Sequence, residues 1–141
     1  MPGIVVGVDG SEHSGRVLEW AMKEAALRQA PLTVITVHQV ASSPWTGSSI
    51  VYPEDKPEQE RARQAAEAEV AKVADKLGSK PRSVTVEAIN GQAAKALIDA
   101  SGDADLVVLG ARGGGGFRGL NVGSVTNQVV HHSVCPVVVI K

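Results

Sequence analysis

The chain has one cysteine, Cys135, so no disulfide can form within it. Scarcity of thiols fits a reducing compartment and leaves stability to the core. Aromatic residues are nearly absent, two Trp, one Tyr and one Phe in 141 residues, so that core must be built from Val, Ile, Leu and Ala. Neither sign of charge is in excess. A formal net charge of −1 gives no bulk attraction to nucleic acid or to an acidic membrane surface. No stretch approaches the ~20 apolar residues that a membrane helix needs. The opening Met-Pro-Gly-Ile-Val-Val carries neither a basic leader nor a cleavage site. Together these absences predict a cytoplasmic protein with neither nucleic acid nor membrane as partner.

The residues that are present predict one α/β domain over 1–141. Five short runs rich in β-branched residues, Ile4–Val8, Leu32–Val37, Val84–Ile89, Leu106–Leu109 and Pro136–Ile140, are separated by helical patterns. That alternation is the rhythm of a mainly parallel sheet with helices on both faces. Leu18, Ala21, Met22 and Ala25 mark the first helix, and Ala66, Val70, Val73 and Leu77 the second, with Gly78 as its stop. A short third helix carries Ala94, Leu97 and Ile98, and a fourth carries Val125, Val129 and Val130. The segment Ala41–Pro57, with Pro44, Pro53 and Pro57 and several serines, reads as a long loop.

The character of each run orders the strands. Runs one and four are apolar almost throughout, as central strands covered on both faces are. Run three alternates, Ser83-Val84-Thr85-Val86-Glu87-Ala88, as an edge strand with one wet face does. Run five is the last strand, yet no charge interrupts Pro136–Ile140. An apolar edge is a pairing hazard unless covered, and a second copy is the simplest cover, which predicts a homodimer through this strand.

Chemistry concentrates after strand four, in Gly110-Ala111-Arg112-Gly113-Gly114-Gly115-Gly116-Phe117-Arg118-Gly119-Leu120-Asn121-Val122-Gly123-Ser124-Val125. Glycines bring backbone N–H groups close to a ligand with no Cβ in the way. Gly123-Ser124 then opens the last helix, whose free N–H groups and dipole favour a phosphate, while Arg112 and Arg118 add positive charge. The Walker pattern fails, because Ser124 rather than lysine follows Gly123. Gly114–Gly119 spells G-x-G-x-x-G but lies after the fourth strand with no helix at once behind it, so that match is accidental.

Gly110, Gly113, Gly123 and Ser124 fit G-x-x-G, nine residues, then G-S, which resembles the ATP-binding signature of the universal stress protein family. Ile4–Ser11 is similar to that family's first strand and its aspartate, Val37-His38 to the end of its second strand, and His131–Val139 to its closing segment. The resemblance covers the whole chain. It implies an open doubly wound sheet of order 3-2-1-4-5, a dimer through the last strand, and ATP, with or without Mg²⁺, at the C-terminal ends of strands one and four. Carried over, Val8, Asp9, Gly10 and Ser11 lie beside adenine and ribose, and the backbone at Gln39 meets the base. Gly110, Ala111, Arg112, Gly113, Gly116, Gly123, Ser124 and Val125 hold ribose and phosphates.

The function this implies is a nucleotide-dependent binding module of the stress response, with protein partners unnamed. The alternative is a slow ATPase or an autophosphorylating enzyme at the same site. Against rapid chemistry stand the missing Walker lysine, the lack of paired carboxylates for Mg²⁺ and the lack of an evident general base, so no catalytic residue is assigned. A phospho-acceptor receiver domain needs an acceptor aspartate after strand three, where the chain reads Ala88-Ile89-Asn90. A flavodoxin-like flavin protein needs its phosphate loop after strand one, where Asp9–Gly15 is too acidic. Taken alone, Asp9 is equally a turn residue capping the first helix. His131 and His132 read as exposed helix-end residues rather than metal ligands. His13 reads as a solvated loop residue, with approach to the phosphates as its alternative, His38 as structural, and Cys135 as a small apolar residue.

Overall fold

The computed structural model describes residues 3–39, 55–78, 81–111 and 123–141. Each apolar run becomes a strand: β1 (Gly3–Val8), β2 (Pro31–Gln39), β3 (Ser83–Gly91), β4 (Ala104–Gly110) and β5 (Val137–Ile140). The helices between them are α1 (Glu12–Arg28), α2 (Asp55–Leu77), α3 (Ala93–Ser101) and α4 (Ser124–His132). All strand pairs are parallel and the order is β3-β2-β1-β4-β5. This is the open doubly wound sheet expected from the sequence.

Alternation along the strands divides the core in two. Ile4, Val6, Leu32, Val34, Leu106 and Val108 face α1 and α2, meeting Val17, Leu18, Met22 and Val73. Val5, Ile35, Val107 and Leu109 face the other way, onto Leu97 of α3 and Val129 of α4. Val6, Val107 and Val108 are wholly enclosed, as central strands require, and each such burial stabilises by roughly 1.5–3 kcal/mol. The exposed positions of β3, Ser83, Thr85 and Glu87, alternate with half-buried ones, so this edge has one wet side. At the other edge every residue of β5 is half-buried.

Two details differ from the sequence reading. Asp55–Pro57 belongs to α2 rather than to the preceding loop; proline is accepted in a helix's first turn because N–H groups there have no intrahelical partner anyway. Of the expected loop, residues 41–54 lie outside the described set. Val130 is 48% exposed while Thr126 is buried, so α4 turns Thr126 and Val129 inward. The glycine stop of α2 is as expected, with Gly78 at φ 69° and its N–H donating to Ala74 O at 3.1 Å.

The winding positions the site. From β1 the chain moves through α1 to β2 and β3 on one side, whereas from β4 it moves through α4 to β5 on the other. Adjacent strands β1 and β4 therefore send their connections in opposite directions. A crevice opens at their C-terminal ends, beyond Val8 and Gly110.

Candidate functional site

The half of the crevice at the end of β1 is a tight turn. Val8, the last residue of β1, is half-buried against the α1/α2 core. Asp9 and Gly10 are exposed. Asp9 Oδ1 accepts from the Ser11 N–H at 3.0 Å, closing an Asx turn through Gly10 at φ 82°. That left-handed conformation explains the glycine, whose missing Cβ would meet only open space. Ser11 is the N-cap of α1, its Oγ accepting from Ser14 N at 3.2 Å. The buried Ser14 Oγ in turn accepts from Asp9 N at 3.0 Å. Asp9 thus has the turn role that the sequence allows, and its carboxylate stays exposed at the mouth of the crevice.

The half at the end of β4 is held from further away. Ala111 N donates to Ile140 O of β5 at 2.8 Å, and Ala111 O accepts from Gly123 N at 2.7 Å. Thr126 Oγ1 of α4 donates to Gly110 O at 2.6 Å. These bonds bring Gly110, Ala111, Gly123, Ser124 and Val125 together. Arg112, Gly113 and Gly116 lie outside the described residues, as does Arg118. The N-cap of α4 is Gly123, and no side-chain cap bond is made there. Among the described residues no side chain caps the first N–H groups of α4, which leaves them open to an acceptor from outside the helix. Ser124 is exposed in the first turn, and Val125 packs on the α3/α4 core.

Gln39 ends β2 opposite Gly91. Because Val8 pairs with Thr36, β2 runs on past β1 to reach it, forming one flank of the crevice. His13 corrects the sequence reading. It sits in the first turn of α1, half-buried, with Nε2 3.0 Å from Ile140 O. His131 and His132 are exposed in the last turn of α4, and Cys135 is half-buried beside the α3/α4 core. Among the described residues no group of three or more His, Cys, Asp or Glu is placed to hold a metal ion. Nor is any helix among them long and apolar enough to cross a membrane.

Sequence reasoning did not select Ser14 or Thr126. The spacing Asp9-x-Ser11-x-x-Ser14 carried a signal for the first, a cap followed by a second hydroxyl at the turn. Nothing local marks Thr126, whose acceptor lies in β4.

A profile of the universal stress protein family matches residues 2–141. A universal stress protein of Mycolicibacterium smegmatis is 36% identical over 139 residues, covering 98% of this chain and 47% of that protein. The chain thus spans about half the length of the curated relatives it matches. Among solved structures, universal stress protein UspA from Lactobacillus plantarum is similar with a TM-score of 0.70 and 26% identity, covering 99% of this chain and 97% of that one. The universal stress protein from Archaeoglobus fulgidus in complex with dAMP has a TM-score of 0.69 and 25% identity, covering 100% of this chain and 98% of that one.

Proposed function

The chain belongs to the universal stress protein family, and on that footing we propose that it binds ATP and acts as a nucleotide-dependent module in the stress response. The observation that carries the reading is the pairing of an uncapped α4 N-terminus with a glycine-bearing strand end, tied together by Gly123 N–Ala111 O. Free N–H groups at a helix start are a phosphate site by their geometry and dipole. A dAMP-bound relative at 25% identity adds support for an adenine nucleotide.

In this reading Val8, Asp9, Gly10 and Ser11 lie along adenine and ribose, and the Gln39 backbone meets the base. Gly110, Ala111, Arg112, Gly113, Gly116, Gly123, Ser124 and Val125 take ribose and phosphates, and Mg²⁺ accompanies the phosphates if a metal is used. Residues 1–141 form one universal stress protein domain, and the free thiol of Cys135 fits a cytoplasmic setting. Two copies pair through the edge Pro136–Ile140, where β5 has no second neighbour among the described strands and Val134 just before it is 77% exposed. Sedimentation at micromolar concentration reads that dimer directly, a one-chain mass contradicting it.

The test of the site is titration of ATP into the wild-type chain and into Gly113→Asp. The aspartate sets a side chain and a negative charge against the phosphates. Wild-type binding with complete loss in a folded Gly113→Asp is the expected result; equal affinity in both would remove the loop from the site.

A further inference from the structure

Gly110 and Ala111 mark the point where the glycine-rich segment leaves β4, and three elements converge on them. Strand β5 accepts the Ala111 N–H through Ile140 O, and α4 donates Thr126 Oγ1 to Gly110 O. Helix α1 contributes His13. A carbonyl only accepts, so the 3.0 Å contact with Ile140 O requires the proton on Nε2, and that nitrogen is not free for a phosphate.

The same ring lies over Gly110. A β-carbon there would sit 2.7 Å from His13 Cδ2 and 2.8 Å from Nε2, with Val17 Cγ2 at 3.1 Å. Gly110 is not among the positive-φ glycines, so its backbone does not demand glycine; the imidazole does. His13 also stands between Ser11 and Ser14, the two hydroxyls that hold the Asp9 turn.

We propose that His13 is a positioning residue that fixes the Gly110–Ala111 junction relative to the Asp9 turn, keeping the two halves of the nucleotide site aligned. The proposal rests on the nucleotide reading above but does not require His13 to touch the ligand. Its bond to Ile140 O and its ring on Gly110 hold the strand end against α1, so the segment beyond departs from a fixed point. Loss of the ring frees the junction while leaving the strands paired.

The experiment compares the full wild-type chain with His13→Ala, His13→Gln, Gly110→Ala and the double variant Gly110→Ala/His13→Ala. Amide exchange at Ala111 and ATP affinity are the readouts, with melting temperature as the check on folding. His13→Ala should speed Ala111 exchange and weaken ATP binding, each by about tenfold, the scale of one lost buried hydrogen bond. His13→Gln, which offers an amide donor at similar reach, should restore most of both. The cost of Gly110→Ala should shrink when His13→Ala removes the clashing ring. Unchanged Ala111 exchange in His13→Ala, or a Gly110→Ala cost indifferent to His13, overturns the proposal. If the wild type itself takes up no ATP, the nucleotide reading falls; exchange and the double variant still decide whether His13 holds the junction. Should Gly110→Ala not fold, the two His13 variants carry the test.

Discussion

The two halves of the crevice are built in different ways. The Asp9 turn is held by neighbours in the chain: Asp9, Ser11 and Ser14 satisfy one another across five positions or fewer. The Gly110–Ala111 junction is held by Thr126 and Gly123 of the returning chain, by Ile140 at the far end of β5, and by His13 of α1. A locally held turn can form early and tolerate change elsewhere. A junction held by distant elements exists only when the whole sheet is assembled. The Gly110–Ala111 junction thus rests on contacts distant in sequence, and the Asp9 turn on near ones.

Substitutions should separate the two halves, and the largest effect belongs to the distant one. Thr126→Val removes the donor to Gly110 O inside a buried site, so it should destabilise by about 2 kcal/mol. Chemical denaturation reads this, and ATP affinity should fall with it. Ser11→Ala removes the N-cap of α1 and should cost about 1 kcal/mol. If Ser11→Ala proved the costlier of the two, the contrast between the halves would fail. Asp9→Asn keeps an Oδ1 acceptor for Ser11 N, so its melting temperature should match the wild type while ATP affinity drops. A loss of stability there would assign the charge to the fold instead.

The smallest effect lies outside the site, where Glu19 joins α1 to α2. A hydrogen bond from Lys76, with Lys23 adding to it, holds the Glu19 carboxyl below its ordinary value. A lowered value means that the ionised form is favoured on folding. Its contribution is present above about pH 4.3, the unperturbed carboxyl value, and is lost as pH falls through the folded value. Its partner Lys76 is exposed, so the contribution is small. Glu19→Gln should melt slightly lower than wild type at pH 7, and the two should converge in acid.

Legibility in the sequence followed the same division. The alternation of Ser83–Ala88 and the unbroken apolar run in β1 announced edge and centre, because burial pattern depends on each strand's own residues. The signature Gly110, Gly113, Gly123, Ser124 marks a candidate site, since the spacing is written in one segment. What escaped was long-range. Pro57 looked like loop punctuation, and only the start of α2 at Asp55 turns it into a first-turn proline. His13 looked solvated because nothing near it in sequence reveals Ile140 and Gly110 as its neighbours. Thr126 carries no local mark, its acceptor lying in β4. Gly110, assigned to the ligand through the resemblance, also has a packing reason, since a β-carbon there would meet the His13 ring.

The most direct test of nucleotide binding is to denature freshly purified protein, remove the precipitate, and identify released nucleotide by ion-exchange chromatography, then titrate the emptied chain with ATP and Mg²⁺. The account predicts ATP or ADP approaching one equivalent per chain, or saturable uptake on titration. No released nucleotide and no uptake would contradict it.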